Sequence, residues 1–505
     1  MRLTPFAKVF IVLVVLGAGS YVAWHRFGHE PAQAVAKSAE APSTAPQARR
    51  EGKRIVVGVN DFGGAYPGVV ANDGAEPGPL SRFSAAGLDV ELKLIRGSKE
   101  RLAAFDAGEV DIMLLTLDYF ANLVPVYQDK GVPLRAFLMA DWSRGNLGIV
   151  SRPELKSIEA LKGAKVATTR TTPTHYFLLS LLKKSNLTQA EIDTVKSNLV
   201  FATKTPQAGE LFRRGEVDAV AIWEPHLSQA MADGKGRLLV STATATNLIA
   251  DVLFAREDYL KAHEAEVNAF VRAWFEGVAS LQRDPRAGVA TIAKAFGQSV
   301  EETQGVLGKI KPATFADNRA FFGLEREHCS YVSQFDEASR FWLKEKVITR
   351  VAEAGPTRWL KALEAAQPGH RDEQVVEAYH FEGGPKAGVD PLLTKSVSIY
   401  FASGDAALGP NARQLIDGFA ETLAEFGNAY VRVEGNTDST GGRAANVALS
   451  QRRAAALVDY LVTQHGLDRA RFRAVGNGPD KPVGNNATET GREANRRTDF
   501  AIIPN

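Results

Sequence analysis

The chain has 505 residues, with 60 Lys and Arg against 58 Asp and Glu for a net charge of +2, and 45% of it is hydrophobic. That length holds two or three domains with ordinary cores, and the near balance of charge excludes a polyanionic partner such as nucleic acid. The single cysteine, Cys329, excludes an intrachain disulfide, so packing must supply stability in an oxidising compartment.

Val9 to Trp24 is an unbroken run of apolar and small residues, preceded by Arg2 and Lys8 and followed by His25-Arg26. Such a run is a signal peptide or a short membrane anchor. Ala18-x-Ser20 offers a cleavage site, but Tyr21-Val22-Ala23-Trp24 carries the apolar run past it and supplies interfacial aromatics. Residues 1–28 are therefore expected to form an uncleaved signal anchor with one transmembrane helix, its amino end cytoplasmic by the charge of Arg2 and Lys8. Cleavage after Ser20 is the alternative. No cysteine lies near this segment to carry a lipid. Residues 29–53 are rich in Ala, Pro, Gln and charge without apolar period, and read as a linker.

From Arg54 short β-rich runs alternate with helical segments. The expected strands are Ile55–Val59, Val90–Ile95, Val110–Leu115, Lys165–Thr168, Leu199–Phe201 and Val217–Ile222, a pattern that argues for parallel α/β sheets. Gly108-Glu109-Val110-Asp111 recurs as Gly215-Glu216-Val217-Asp218, each time after a helix opened by a capping hydroxyl, Ser98 or Thr205. Two copies of one unit suggest two lobes, with a ligand between them at the carboxyl ends of the strands. The echo pairs Asn60-Asp61-Phe62 with Thr169-Arg170-Thr171, Ser98 with Thr205, and Thr116-Leu117-Asp118 with Trp223-Glu224-Pro225.

This segment resembles the periplasmic solute-binding proteins of ABC importers, in the branch for nitrate, sulfonates, taurine and thiamine pyrimidine precursors. The residues that carry the resemblance are Gly97-Ser98, Ala107 to Asp111, Ile158-x-x-Leu161-Lys162-Gly163-x-Lys165-Val166-Ala167, Thr171-Thr172-Pro173-Thr174-His175 and Ala221-Ile222-Trp223-Glu224-Pro225. It implies a type II two-lobed binding domain over residues 54–350, with the second lobe at about 150–240 and two crossing strands as hinge. In the cleft, Ser98, Thr171, Thr172 and Thr174 are donors near helix starts that suit an oxyanion. Phe62, Tyr119 and Trp223 offer flat walls, and Asp118 and Glu224 suit a ligand amine. Asn60 and Thr116 complete the candidate set. His175 is read as a surface or outlying residue, because no second His or Cys lies at metal-ligand spacing. No metal and no cofactor is expected.

Residues 351–391 read as a polar connector into Val397-x-Ile399-x-Phe401, the first expected strand of a carboxyl-terminal domain at 392–505. There Tyr430–Glu434 alternates as a strand and Asn446–Gln464 reads as a helix, with Asp438 in the loop between them. Asn446, Ser450 and Arg453 share one helical face. A loop carboxylate opposite a helix guanidinium suits a zwitterion, the first taking an ammonium and the second a carboxylate. Gly435-Asn436-Thr437-Asp438-Ser439-Thr440-Gly441, Asn446-x-x-Leu449-Ser450-x-Arg452-Arg453, Gly476-Asn477-Gly478 and Gly491-Arg492-x-x-Asn495-Arg496-Arg497 follow in order. Together they resemble an OmpA-like α+β peptidoglycan-binding domain. The resemblance implies that Asp438 and Arg453, with Asn446 and Thr437 beside them, hold the diaminopimelate end of a peptidoglycan stem peptide.

No Gly-x-Ser-x-Gly elbow, His-Glu-x-x-His or phosphate-binding loop occurs, so no catalytic residue is expected. The expectation is a cell-envelope protein of the bacterial inner membrane, single-pass with periplasmic domains, or soluble in the periplasm if the signal is cleaved. Its expected partners are peptidoglycan, a small solute, the inner membrane and an ABC permease, for uptake or sensing. The alternative is a wall tether whose binding domain is degenerate.

Overall fold

The computed structural model describes residues 54–505, apart from 326–328, 378, 386–387 and 402–403. The apolar run Val9–Trp24 and the linker lie outside the described residues. Among the described residues no helix is long and apolar enough to cross a membrane.

In chain order the first lobe contributes β1 (Arg54–Val59), β2 (Asp89–Leu94), β3 (Ile112–Thr116) and β4 (Leu134–Ser143). The chain then makes β5 (Leu147–Ser151), β6 (Val166–Thr169), β7 (Leu199–Ala202), β8 (Ala219–Trp223) and β9 (Arg237–Ser241) in a second sheet. It returns along β10 (Ala250–Arg256) and adds β11 (Ile310–Pro312). The first sheet has the order β11-β4-β10-β3-β1-β2 and the second β7-β6-β8-β5-β9. Within each, three strands run parallel, β2, β1 and β3 in one and β7, β6 and β8 in the other. The crossing strands β10 and β5 pair antiparallel with β3 and β8. Runs of Val, Ile and Leu explain the parallel strands: Val56, Val57, Val59, Ile112 and Met113 have no exposed surface, as two-sided burial by flanking helices requires. The two crossings, Ser143 to Leu147 and Ser241 to Ala250, join the carboxyl edges of the two sheets. These edges face one cleft.

The expected capping hydroxyls sit one position further in. The helices Ser98–Asp106 and Thr205–Arg213 have Gly97 and Lys204 as N-caps, and neither is capped through a side chain. Ser98 and Thr205 already have helical backbone, so their hydroxyls cannot reach back to the amides that a cap serves.

The third sheet has the order β12-β15-β13-β14 and is built from β12 (Leu393–Val397), β13 (Ala429–Asn436), β14 (Phe472–Gly478) and β15 (Thr498–Pro504). Its first strand lies four residues earlier than alternation suggested. Val397 pairs with Thr498, where β15 begins, so 398–401 have no strand to pair with. The helix Arg443–His465 lies against β13 and β14 so closely that side chains are excluded beneath it. A Cβ on Gly435 would stand 2.4 Å from the Ser450 carbonyl, and one on Gly476 would stand 2.5 Å from the Val447 carbonyl. Motif glycines here are packing glycines.

The third domain is docked on the second lobe. Ile158 donates to the Leu392 carbonyl at 2.8 Å, Thr394 donates to Glu159 at 2.8 Å, and Asn247 donates to the Glu425 and Ala424 carbonyls at 3.0 and 2.9 Å. Lys184, 7% exposed, lies 2.5 Å from Glu337 on the helix Ser330–Lys344 and 3.0 Å from Glu425 on the helix Pro410–Glu425.

Candidate functional site

In the carboxyl-terminal domain, β13 ends at Asn436 and the chain turns through Thr437–Gly442 into the helix Arg443–His465. Asp438 is 8% exposed. Its carboxylate accepts the Thr440 amide at 2.8 Å and the Arg496 guanidinium at 2.7 Å. Burial works against the charge, but the Arg496 and Thr440 hydrogen bonds outweigh it and hold the acid below the usual carboxylate range. Asn446 donates to the Thr440 carbonyl at 3.0 Å and clamps the loop. Thr437 is buried, its hydroxyl turned onto the Asp438 carbonyl at 2.9 Å. Arg453 is half-buried, donates to the Asp405 carbonyl at 2.9 Å and lies over the Phe401 ring at 4.7 Å. The Asp438 charge acts on Arg453, which places acid and base in one field. One carboxylate and one guanidinium thus stand on opposite walls.

In the cleft, the seven residues Asn60, Phe62, Ser98, Thr116, Thr171, Thr172 and Trp223 are all half-buried at the two facing edges. Their hydroxyls are partly committed. Thr172 donates to the Thr169 carbonyl at 2.6 Å and lies 2.9 Å from the Thr174 hydroxyl. Thr171 holds a left-handed backbone, with φ 56°. Its amide points at His175 Nδ1, 3.4 Å away. His175 is fully buried rather than at the surface, edge-on to Phe201 at 5.1 Å and tilted against Trp342 at 5.7 Å. Its place in the first turn of Pro173–Lys184 carries it under the loop. Burial, with Arg170 and Lys196 nearby, pushes it down to about 3, so the ring is neutral.

Glu224 is occupied. It accepts from the Ser228 hydroxyl at 2.8 Å and pairs with Lys309, which lies beside β11 in the other lobe. Asp118 is not occupied in this way. It is 4% exposed, its carbonyl accepts the Trp342 indole at 2.7 Å, and its Oδ2 is buried without a partner. Burial, with Asp251 repelling it, raises its pKa to about 7 against hydrogen bonds from Thr116 and nearby amides. Asp251 stands opposite Thr116 on one side and Asp141 on the other, because β10 lies between β3 and β4. Asp141 and Asp251 hydrogen-bond carboxyl to carboxyl, and burial raises both. Among the described residues no group of His, Cys, Asp and Glu is arranged to hold a metal ion.

Residues 82–287 match the family described as NMT1/THI5 like, and residues 400–496 match the OmpA family. The chain joins an NMT1/THI5-like domain to a C-terminal OmpA domain. The OmpA domain is 37% identical over 119 residues to probable lipoprotein YiaD of Escherichia coli K12, covering 24% of this chain and 54% of that one. It is 43% identical over 114 residues to outer membrane porin F of Pseudomonas aeruginosa, covering 23% and 33%. It is 35% identical over 104 residues to peptidoglycan-binding protein ArfA of Mycobacterium bovis, covering 21% and 32%. The chain thus spans about half or less of these relatives. The solved aliphatic sulphonate binding protein SsuA of Escherichia coli aligns at 17% identity and TM-score 0.48, over 62% of this chain and all of that one.

In the NMT1/THI5-like domain the structure brings Asn60, Phe62, Ser98, Thr116 and Asp118 to one edge and Thr171, Thr172, Trp223 and Glu224 to the other. Sequence reading passed over Asp141, Asp251 and Arg101. The first two lie on crossing strands outside the repeated unit, and Arg101 reads as a helix surface residue although it is 2% exposed. In the OmpA domain it left Arg496 without a role. Arg496, reaching over from the helix end Glu489–Asn495, pairs with Asp438.

Proposed function

We propose that this chain is a cell-envelope solute-binding protein that captures a small solute between its two lobes while its OmpA domain holds peptidoglycan. The observation that carries the reading is the Asp438 and Arg453 pair, one on the loop after β13 and the other on the helix behind it. An ammonium would sit on the Asp438 carboxylate and a carboxylate on the Arg453 fork, which are the two charged groups at the free end of a diaminopimelate side chain. Asn446 and Thr437 hold the loop that presents Asp438. The ArfA relative is named for peptidoglycan binding. Capture itself is supported by two sheets between which the chain crosses twice, a geometry that suits closure about a hinge.

The domains are placed in the periplasm, tethered to the inner membrane by residues 1–28, with the boundaries expected from the sequence. The captured solute is either delivered to an ABC permease or sensed. The reading is tested by cosedimentation of the full chain with diaminopimelate-type peptidoglycan. Asp438→Ala and Arg453→Ala should each release it, and a folded double variant that still pellets would refute the attachment. Amino-terminal sequencing beginning at Tyr21 would refute the anchor.

A further inference from the structure

The buried acids at the floor of the cleft bear on the charge of the solute, given the solute-binding reading above. Four aspartates gather at the carboxyl edge of the first sheet: Asp61 after β1, Asp118 after β3, Asp141 on β4 and Asp251 on β10. Cations near them are already committed. Arg96 pairs with Asp61 at 2.6 Å, and Arg144 pairs with Glu377 of the connector at 3.2 Å. Arg101 donates to the Ile95 carbonyl at 2.6 Å and serves Asp251 electrostatically. That leaves Asp118 without a cation, and Asp141 sharing a carboxyl–carboxyl hydrogen bond with Asp251. Both are more than nine-tenths buried, and Asp118 Oδ2 makes no hydrogen bond. The loop backbone closes over the third acid, since a Cβ on Gly64 would lie 2.8 Å from Asp251 Oδ2.

A buried acid without a counter-ion is a cost that folding removes unless something fills the place. An oxyanion placed here would meet two carboxyls already driven toward their protonated forms. An organic cation would take over the place of their protons and gain charge-assisted hydrogen bonds in a dry site. Aromatic walls from Phe62, Tyr119 and Trp223 suit the flat or alkyl part of such a solute, and their faces favour positive charge. Glu224 contributes little to this grip, being held by Lys309 and Ser228.

We infer that the cleft selects a small organic cation, an ammonium or amidinium, whose charged head is seated on Asp118 with Asp141 and Asp251 behind it. The donors on the opposite edge then serve the neutral or polar tail.

The test is calorimetric titration and thermal shift on the full chain with two sets of probes. Agmatine, putrescine and benzamidine form the cationic set, and propane-1-sulfonate and nitrate form the anionic one. The cationic set is expected to bind and to bind more tightly at pH 8 than at pH 5. At the lower pH the Asp118 carboxyl, pushed up to about 7, carries a proton that the ligand must displace, and burial pushes Asp141 and Asp251 in the same direction; Arg101, Arg144 and the Arg96–Asp61 pair are the other charged groups that face them. Asp118→Asn is expected to weaken the bound cation at least tenfold while the unliganded variant melts no lower than the parent. Asp141→Asn is the second variant, expected to weaken binding with the same pH dependence removed in part. Binding of propane-1-sulfonate or nitrate alone, indifferent to Asp118→Asn, would overturn the charge assignment and leave the solute-binding reading standing. Binding by neither set would count against both.

Discussion

Asp438 and Asp118 are both nearly buried, 8% and 4% exposed, yet their acidities move in opposite directions. Asp438 is held low because Arg496 and the Thr440 amide donate to it, whereas burial, with Asp251 repelling it, takes Asp118 up to about 7 against the hydrogen bonds from Thr116 and nearby amides, and its Oδ2 has no partner. Burial penalises both charges. Partners decide which acid stays ionised. The first arrangement suits a site that is charged before its ligand arrives, and the second a site whose charge the ligand completes.

A third buried cluster sharpens the contrast within one network. Lys184 lies between Glu337 and Glu425, and although burial opposes ionisation of both, its charge with that of Lys183 takes Glu337 down to about 2 while Glu425 remains at about 7. Lys184→Met leaves two carboxyls facing each other at the junction of second lobe, tail helix and OmpA domain. It should cost the full chain about 3–5 kcal/mol in thermal or denaturant unfolding, the cost of breaking a buried pair. An unchanged midpoint would mean that the cluster is solvated.

At the wall site, removing Asp438 or Arg453 should cost about 2–5 kcal/mol of peptidoglycan binding, on the order of 30-fold or more. Arg496→Gln separates the two roles of Asp438. The folded-state pKa of Asp438 is depressed, so its contribution is present above the unfolded value near 4 and is lost as pH falls through the folded value. Arg496→Gln should therefore lower stability at pH 7 and leave it nearly unchanged in strong acid, as pH-dependent melting will read.

Asp118 has the opposite sign. Its folded-state value is raised, so the unfolded chain releases this proton first and stability falls as pH climbs from about 4 to about 7. A shift of that size represents roughly 4 kcal/mol in full. Asp118→Asn should recover about 2 kcal/mol at pH 8, because the amide is still a desolvated polar head, and should flatten the slope between those limits. A variant equally pH-sensitive would show that another group titrates. The smallest effect is expected at Asn446, where the side chain only clamps the loop. Asn446→Ala should weaken wall binding by about 0.5–1.5 kcal/mol in a pelleting titration.

The repeated α/β pattern and the two family resemblances were legible because they are local. Period-two apolar runs, glycines and Asp438 between strand and helix lie within a few residues of one another, and the observed strands begin within two residues of all six expected ones, such as Lys165 for β6 and Val217 for β8. Gly435 and Gly476 were visible as motif letters, and their reason, a helix backbone lying on a strand, appears only in three dimensions. Alternation alone also placed the first strand of the OmpA domain too late, because the pattern continues to Phe401 while the pairing partner does not.

Charge pairing was decided by tertiary structure alone. Nothing near Glu224 in the chain announces Lys309, nothing near Asp438 announces Arg496, and Asp141 and Asp251 are brought to Asp118 by two strands that cross between lobes. Sequence determines which residues carry charge and the period on which they fall. Whether a buried charge is neutralised depends on atoms within a few ångströms, and in a sheet with crossovers those atoms come from remote parts of the chain.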